Sequence, residues 1–250
     1  MTTPPKVTLV TCSSMPHLFP GEEGLLDELA SRGCDPQIKV WNDPDVDWSD
    51  AGMVVVRSVS DYAQERPAFL EWTRQLRRVQ NSADVLNWNT DKHYLRELAA
   101  LGMPTIPTSW LEPEQNLSKH QIHTRFPAFG EFVVKPAVSS GVRDIGRYTT
   151  VDTRQRQAAM RQVQGLLGDG RSVMIQRYVE EIDLHGEISL VFFNGLVSHA
   201  VEKRSALHPA SVTNPEMHEA VLTADSADSV AWTWGEQIRR VLHDYVRARL

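Results

Sequence analysis

In FVVKPAVSSG, residues 132–141, Lys135 closes an apolar run, with a proline directly after it and then a short stretch of small residues. An ammonium withdrawn from water is costly unless negative charge accompanies it. Either the run is an edge strand from which the lysine reaches solvent, or an anion is meant to sit beside it. Lys92, in NWNTDKHYL (87–95), falls in the first turn of a helical pattern. VMIQRYVEE (173–181) is an apolar run ending in two acids, Glu180 and Glu181. GEISLVFFNG (186–195) opens with Glu187, and HAVEKR (199–204) closes on a basic pair, Lys203 and Arg204, suited to a small anion.

Other chemistries lack their residues. No GxxxxGK[ST] phosphate loop occurs, and no GxGxxG follows the first strand pattern. MHEAVL has Leu222 where a zinc-binding HExxH needs its second histidine, and no GxSxG elbow is present. His120 and His123 have a metal-compatible spacing without supporting ligands, and read as exposed histidines. His185 and His199 read as structural. Trp232 and Trp234 read as packing for the last helix. Arg143 and Arg147 read as surface charges unless they close over a ligand. Cys12 and Cys34 read as reduced bystanders.

The elements that must position these residues follow from periodicity. Strand patterns at 7–12, 37–41, 53–59 and 85–87 alternate with helical patterns at 24–32 and 67–79, the latter with Pro67 in its first turn. This order predicts a small open α/β sheet covered by helices. A helix over 91–101 follows, with Thr90 as its expected cap and Gly102 as its end. A strand over 105–111 is marked as an edge by Pro107. Residues 112–130 are mixed, with a weak helix. Strands at 131–138, 145–149 and 172–179 surround a helix at 153–167. A hairpin, 187–193 with 196–203, turns at Asn194-Gly195. Residues 205–217 read as a flexible loop, before a strand at 218–223 and a helix at 229–249.

Bulk properties narrow the class. The 250 residues are 41% hydrophobic and 23% charged, with a net charge of −6. That is an ordinary globular composition, and its acidic balance argues against a general nucleic-acid binder. No apolar run approaches the about 18 residues of a membrane helix. The opening MTTPPKVTLVTCSS has too short an apolar core for a secretory signal, so a cytoplasmic protein is expected.

Taken in order, the five segments around Lys92, Lys135, Glu180, Glu187 and Lys203 resemble the ATP-grasp superfamily, in particular its glutathione-synthetase-like and ribosomal-modification-ligase-like branches. The resemblance covers residues 85–204. It implies an α/β fold with α+β subdomains: a Rossmann-like pre-ATP-grasp domain over 1–86, a lid subdomain over 87–180 and a C-terminal subdomain over 181–250. It implies that Lys92 and Lys135 contact nucleotide phosphates, and that 138–146 forms a lid in which Ser139, Ser140 and Gly141 leave backbone N–H groups accessible. Gln176, Tyr178, Val179 and Glu180 match the segment that holds adenine, with Glu180 or Glu181 near the ribose and Glu187 beside the nucleotide. Lys203 or Arg204 would hold a carboxylate or the transferring phosphate. The partners implied are ATP with Mg²⁺ and small carboxylate and amine substrates; dimers are common among such relatives.

The function expected is ATP-dependent carboxylate–amine ligation through an acyl phosphate. Three alternatives stand beside it: a nucleotide-binding module without catalysis, a ligase closing a ring within one amino-acid-like molecule, and an α/β scaffold with no nucleotide site. The family's magnesium ligands, an acid on one strand and a Glu and Asn on the next, follow a helix resembling 229–249. No such pattern follows residue 204, so metal ligands are unassigned. A shortened chain, or one completed by another chain, is the expectation from that pattern.

Overall fold

The computed structural model describes residues 3–19, 21–203, 207, 220–222 and 229–249. The chain divides into two compact units, Met1–Lys92 with Val138–Arg143, and His93–Ala137 with Asp144–Leu250.

Short apolar runs build the first unit. β1 (Lys6–Thr11), β2 (Asp35–Val40), β3 (Met53–Ser58) and β4 (Val79–Gln80) form a parallel sheet in the order β2-β1-β3-β4. Central β1 and β3 supply Val10 and Val54 to a core completed by Trp41, Phe69 and Trp72. Phe69 and Trp72 come from α2 (Arg66–Gln75), which carries Pro67 in its first turn. Trp41 meets the edge of Phe69 at a centroid distance of 5.6 Å, an arrangement aromatic quadrupoles favour. α1 (Gly24–Ser31) completes the sequence order as read.

The end of this unit departs from the sequence reading. Residues 85–87 are not a strand but lie inside α3 (Ala83–Asn89). Ser82 caps that helix, accepting from the Val85 N–H at 3.3 Å, and Leu86 is buried. The strand position is taken by the shorter β4. Thr90 does not cap a following helix. Its hydroxyl donates to the Leu86 carbonyl at 2.7 Å and accepts from Arg66 Nε at 2.9 Å, closing α3. α2 also stops early, because Leu76 turns to an extended conformation.

In the second unit, β5 (Thr108–Leu111), β6 (Glu131–Pro136), β7 (Gly146–Thr149) and β8 (Val173–Arg177) form an antiparallel sheet in the order β5-β8-β6-β7. β5 is an edge, as Pro107 signals. α4 (Tyr94–Ala100) begins three residues later than read, so Lys92 lies in the turn before it. Gly102 follows with a φ of 79°, the left-handed geometry of a helix end. α5 (Lys119–His123) is the weak helix, with a Ser118–Gln121 capping box. α6 (Thr153–Gly168) buries Ala159, Val163 and Leu166 against Phe132, Val134, Val173 and Ile175.

Pleating sends alternate residues to opposite faces. With Phe132 and Val134 on α6, Val133 and Lys135 belong to the other face, with Met174 and Gln176 as their cross-strand partners. α7 (Glu181–His185) then leads into β9 (Glu187–Phe193) and β10 (Leu196–Lys203), which turn at Asn194 (φ 51°) and Gly195 (φ 76°). Two positive φ values in a two-residue loop match the right-handed twist of a hairpin. β11 (Ala220–Leu222) pairs with β10. α8 (Ser229–Arg249) lies close to β9 at Gly235, where a Cβ would fall 2.3 Å from Leu190 Cδ1. Apart from Leu207, the loop read at 205–217 falls outside the described residues. Among them, no helix is long and apolar enough to cross a membrane.

Candidate functional site

Register explains why Lys135 is tolerated in an apolar strand. On the face away from α6 its side chain stays out of the Phe132–Val163 core, and a one-residue slip would drive it in. It is half-buried, and among the described residues its ammonium makes no hydrogen bond or ion pair. Desolvation pushes its pKa below the ordinary lysine value, and the carboxylate of Glu187 partly restores it. Glu187 opens β9 and is the cross-strand partner of Lys203. The second unit thus gathers Lys135, Glu187 and Lys203 into one charged neighbourhood. Such a set is suited to an anion.

In the first unit the geometry is different. Lys92 Nζ donates to Ser139 Oγ at 2.7 Å and to the Ser139 carbonyl at 3.3 Å. Tyr62 donates its hydroxyl to the same carbonyl at 3.1 Å. Ser139 is buried, Ser140 half-buried and Gly141 exposed. Gly141 has a φ of 60°, which a glycine adopts without strain. Small residues therefore hold this loop close to a lysine without crowding it.

Residues 176–181 are more firmly built than a polar turn. Gln176 is buried, and its Nε2 donates to Thr108 Oγ1 at 2.7 Å across the β5–β8 pair. The Tyr178 N–H is taken by the Glu131 carbonyl at 2.9 Å. The Tyr178 hydroxyl donates to Asp183, and the Arg147 guanidinium lies 3.7 Å from the centre of its ring. Arg147 also pairs with Asp183 at 2.8 Å and with Glu131. Burial works against the charge on Arg147, but these carboxylates hold it protonated. The sequence reading of Arg147 as a surface or lid charge is thus corrected: its side chain is 16% exposed and clamps the segment. Neither Asp183 nor Glu131 stands out in the sequence, since the acids meet Arg147 only through the β6–β7 register and α7. Glu180 and Glu181 begin α7, an element absent from the sequence reading. A cleft of about 430 Å³ runs beside the segment, lined by Ile106, Pro107, Arg177, Tyr178 and Val179.

Lys92 lies with Ser139, and Lys135 with Glu187 and Lys203. Arg204 falls outside the described residues. His123 Nε2 lies 2.7 Å from Arg156, and among the described residues no metal-binding cluster forms. Both cysteines are free, with Cys12 buried. Trp234, read as packing, is 41% exposed and lines an apolar groove of about 780 Å³ with Leu190, Phe192, Ile238 and Leu242. Trp232 keeps a buried indole N–H without a partner among the described residues.

Comparison with known proteins gives these placements a context. Residues 7–87 match the family described as D-cycloserine synthetase DcsG, N-terminal domain. The cycloserine biosynthesis protein DcsG of Streptomyces lavendulae is 35% identical over 190 residues, 74% of this chain. The chain spans 62% of the length of that curated relative. The crystal structure of a D-cycloserine synthetase DcsG superposes with a TM-score of 0.76 at 31% identity, covering 95% of this chain and 81% of the other. D-alanyl-alanine synthetase A from Vibrio cholerae gives a TM-score of 0.64 at 11% identity, over 99% of this chain and 82% of its own. The ATP-grasp ligase PsnB, solved with a precursor variant, Mg and ADP, gives 0.55 at 14% identity, over 97% and 83%. The last two likenesses concern the fold.

Proposed function

The chain belongs to the ATP-grasp superfamily of ligases, and from that premise we propose that it is an ATP-dependent carboxylate–amine ligase for a small amino-acid-like substrate. The observation that carries this reading is the half-buried Lys135 ammonium, which lacks a hydrogen-bonding partner among the described residues. A nucleotide phosphate supplies the charge it lacks. Lys92 and loop 138–146 take the further phosphate contacts, and the segment from Gln176 to Glu181 holds the purine and ribose. In domain terms we assign 1–86 to the N-terminal domain, 87–180 to the lid subdomain and 181–250 to the C-terminal one.

In the proposed reaction a substrate carboxylate oxygen attacks the γ-phosphorus, and the bond to the bridging oxygen breaks to release ADP. The amine nitrogen then attacks the acyl carbon of the acyl phosphate. Inorganic phosphate departs with the C–O electron pair, and the nitrogen gives up a proton. Lys135 and Lys92 disperse charge on the transferring group, Lys203 or Arg204 holds a carboxylate, and the closed loop keeps water from the acyl phosphate. Magnesium is proposed as the counter-ion arriving with the triphosphate. Among the described residues no cluster of His, Cys, Asp or Glu suited to hold it is formed.

Identities of 35% and 31% to proteins named for cycloserine favour the ring-closing form, in which carboxylate and amine belong to one molecule. A cytoplasmic location and a homodimer complete the proposal. The test is ADP release on mixing Mg-ATP with an amino acid carrying a side-chain amine. Dependence on that one substrate alone supports ring closure, and dependence on a separate amine supports two-substrate ligation. ATP binding without any ADP release under either condition would reduce the protein to a nucleotide-binding module.

A further inference from the structure

Tyr62 lies between β3 and α2, half-buried, in a segment with no assigned part in nucleotide binding. Its ring lies 5.7 Å from that of Phe69, inside the aromatic group that also holds Trp41 and Trp72. The position of its hydroxyl is therefore fixed by the core of the first unit. That hydroxyl donates to the Ser139 carbonyl, which also accepts from Lys92. A carbonyl has two lone pairs, so one oxygen satisfies both donors. Two residues on, Gly141 is exposed, and a Cβ placed there would meet nothing within 4 Å. The loop is held at Ser139 and is loosely surrounded at Gly141.

We propose that Tyr62 is a positioning residue for the phosphate loop. Its hydroxyl fixes the backbone of Ser139, and this keeps the loop seated on Lys92 before nucleotide arrives. The proposal rests on the reading of Lys92 and residues 138–146 as phosphate-binding. An incoming phosphate exchanges with the Ser139 hydroxyl for one of the three ammonium donors of Lys92. The Tyr62 bond goes to the backbone, so it persists through that exchange and leaves the following N–H groups presented. Loss of the hydroxyl frees the loop without removing any phosphate ligand.

Tyr62→Phe keeps the ring and deletes the hydroxyl. Hydrogen exchange of the whole chain, measured without nucleotide, tests the latch by itself. One net hydrogen bond corresponds to roughly 2- to 10-fold in the opening equilibrium. Exchange at 138–143 is expected to quicken by that factor, with β1 and α2 unchanged. Calorimetry with Mg-ATP is expected to show Kd weakened by a similar roughly 2- to 10-fold. Unchanged exchange at 138–143, or protection lost throughout the first unit, overturns the proposal, the latter by showing a merely structural role. If the unaltered protein binds no ATP, the nucleotide reading fails by itself, while the exchange experiment still decides the latch.

Discussion

Lys92 and Lys135 have the same charge and opposite surroundings. Lys92 is engaged by the hydroxyl and carbonyl of Ser139, in a loop that Tyr62 holds in place. Lys135 is half-buried, has no hydrogen bond among the described residues, and receives only partial compensation from Glu187. One lysine helps to hold its unit together; the other is kept there at a cost to the fold. A desolvated charge with incomplete compensation is what functional sites retain and what stability alone would remove.

The largest effect that can break this contrast is at Lys135. Lys135→Met is expected to weaken Mg-ATP binding by ~10- to 100-fold, the range of a lost charge-assisted contact. The same substitution is expected to raise the thermal midpoint of the nucleotide-free protein, because it removes a half-buried charge that Glu187 compensates only in part. Lys92→Met should weaken binding too, but lower the nucleotide-free midpoint through loss of the Ser139 bonds. Scanning fluorimetry of both variants checks the opposite signs, and equal signs would erase the distinction.

Next in size is Arg147, a cation of the second unit that is fully paired. Arg147→Ala removes the pairs with Asp183 and Glu131 and should destabilise by ~1–3 kcal/mol, seen as a lower denaturant midpoint. A neutral result would show that the clamp on Tyr178 is dispensable, and that pairing separates the cations less sharply than the geometry suggests.

Glu112 gives a smaller effect with a defined sign. Burial alone would raise its pKa, but hydrogen bonds from Ser172, His93 and Arg96 hold it below the usual carboxylate value. A carboxyl depressed on folding contributes stability above its unfolded pKa, and that contribution is lost as pH falls through the folded pKa. Glu112→Gln should therefore lower the midpoint at neutral pH and flatten its decline in acid. Parallel acid limbs for the two proteins would contradict this.

The smallest signal sharpens the account of Lys135 directly. Its pKa lies below the ordinary value of 10.5 in the free protein, and phosphate charge favours the protonated form. Between the free and bound pKa values, ATP binding should take up a fraction of a proton. Calorimetry in alkaline buffers of different ionisation enthalpy measures that uptake, which should vanish in Lys135→Met.

Much of the fold was legible because its signals are local. Asn194-Gly195 specifies its hairpin by φ alone, and Gly102 and Pro107 marked a helix end and an edge strand. Residues 85–87 read as a strand but lie in a helix, because the apolar pair Val85-Leu86 is too short for its periodicity to separate the two, and the Ser82 cap decides between them. Thr90 was misassigned for a related reason: a threonine hydroxyl can serve the helix before it or after it, and Arg66 biases it to the former. At the candidate site the types of Lys135, Glu187 and Lys203 were legible, whereas the pairing of Arg147 with Asp183 was not, because 36 positions separate them.

The amino-acid order by itself determined most of the strands, turns and helices, though not α3, α7 or the start of α4, and it carried the unusual placement of a lysine at the close of an apolar run. Only tertiary structure decided that Lys135 faces away from α6, that Ser139 lies on Lys92, and that Arg147 is a clamp. Periodicity is a property of a few consecutive residues. The face a strand buries and the partner a charge meets depend on long-range register, which a local pattern constrains without fixing.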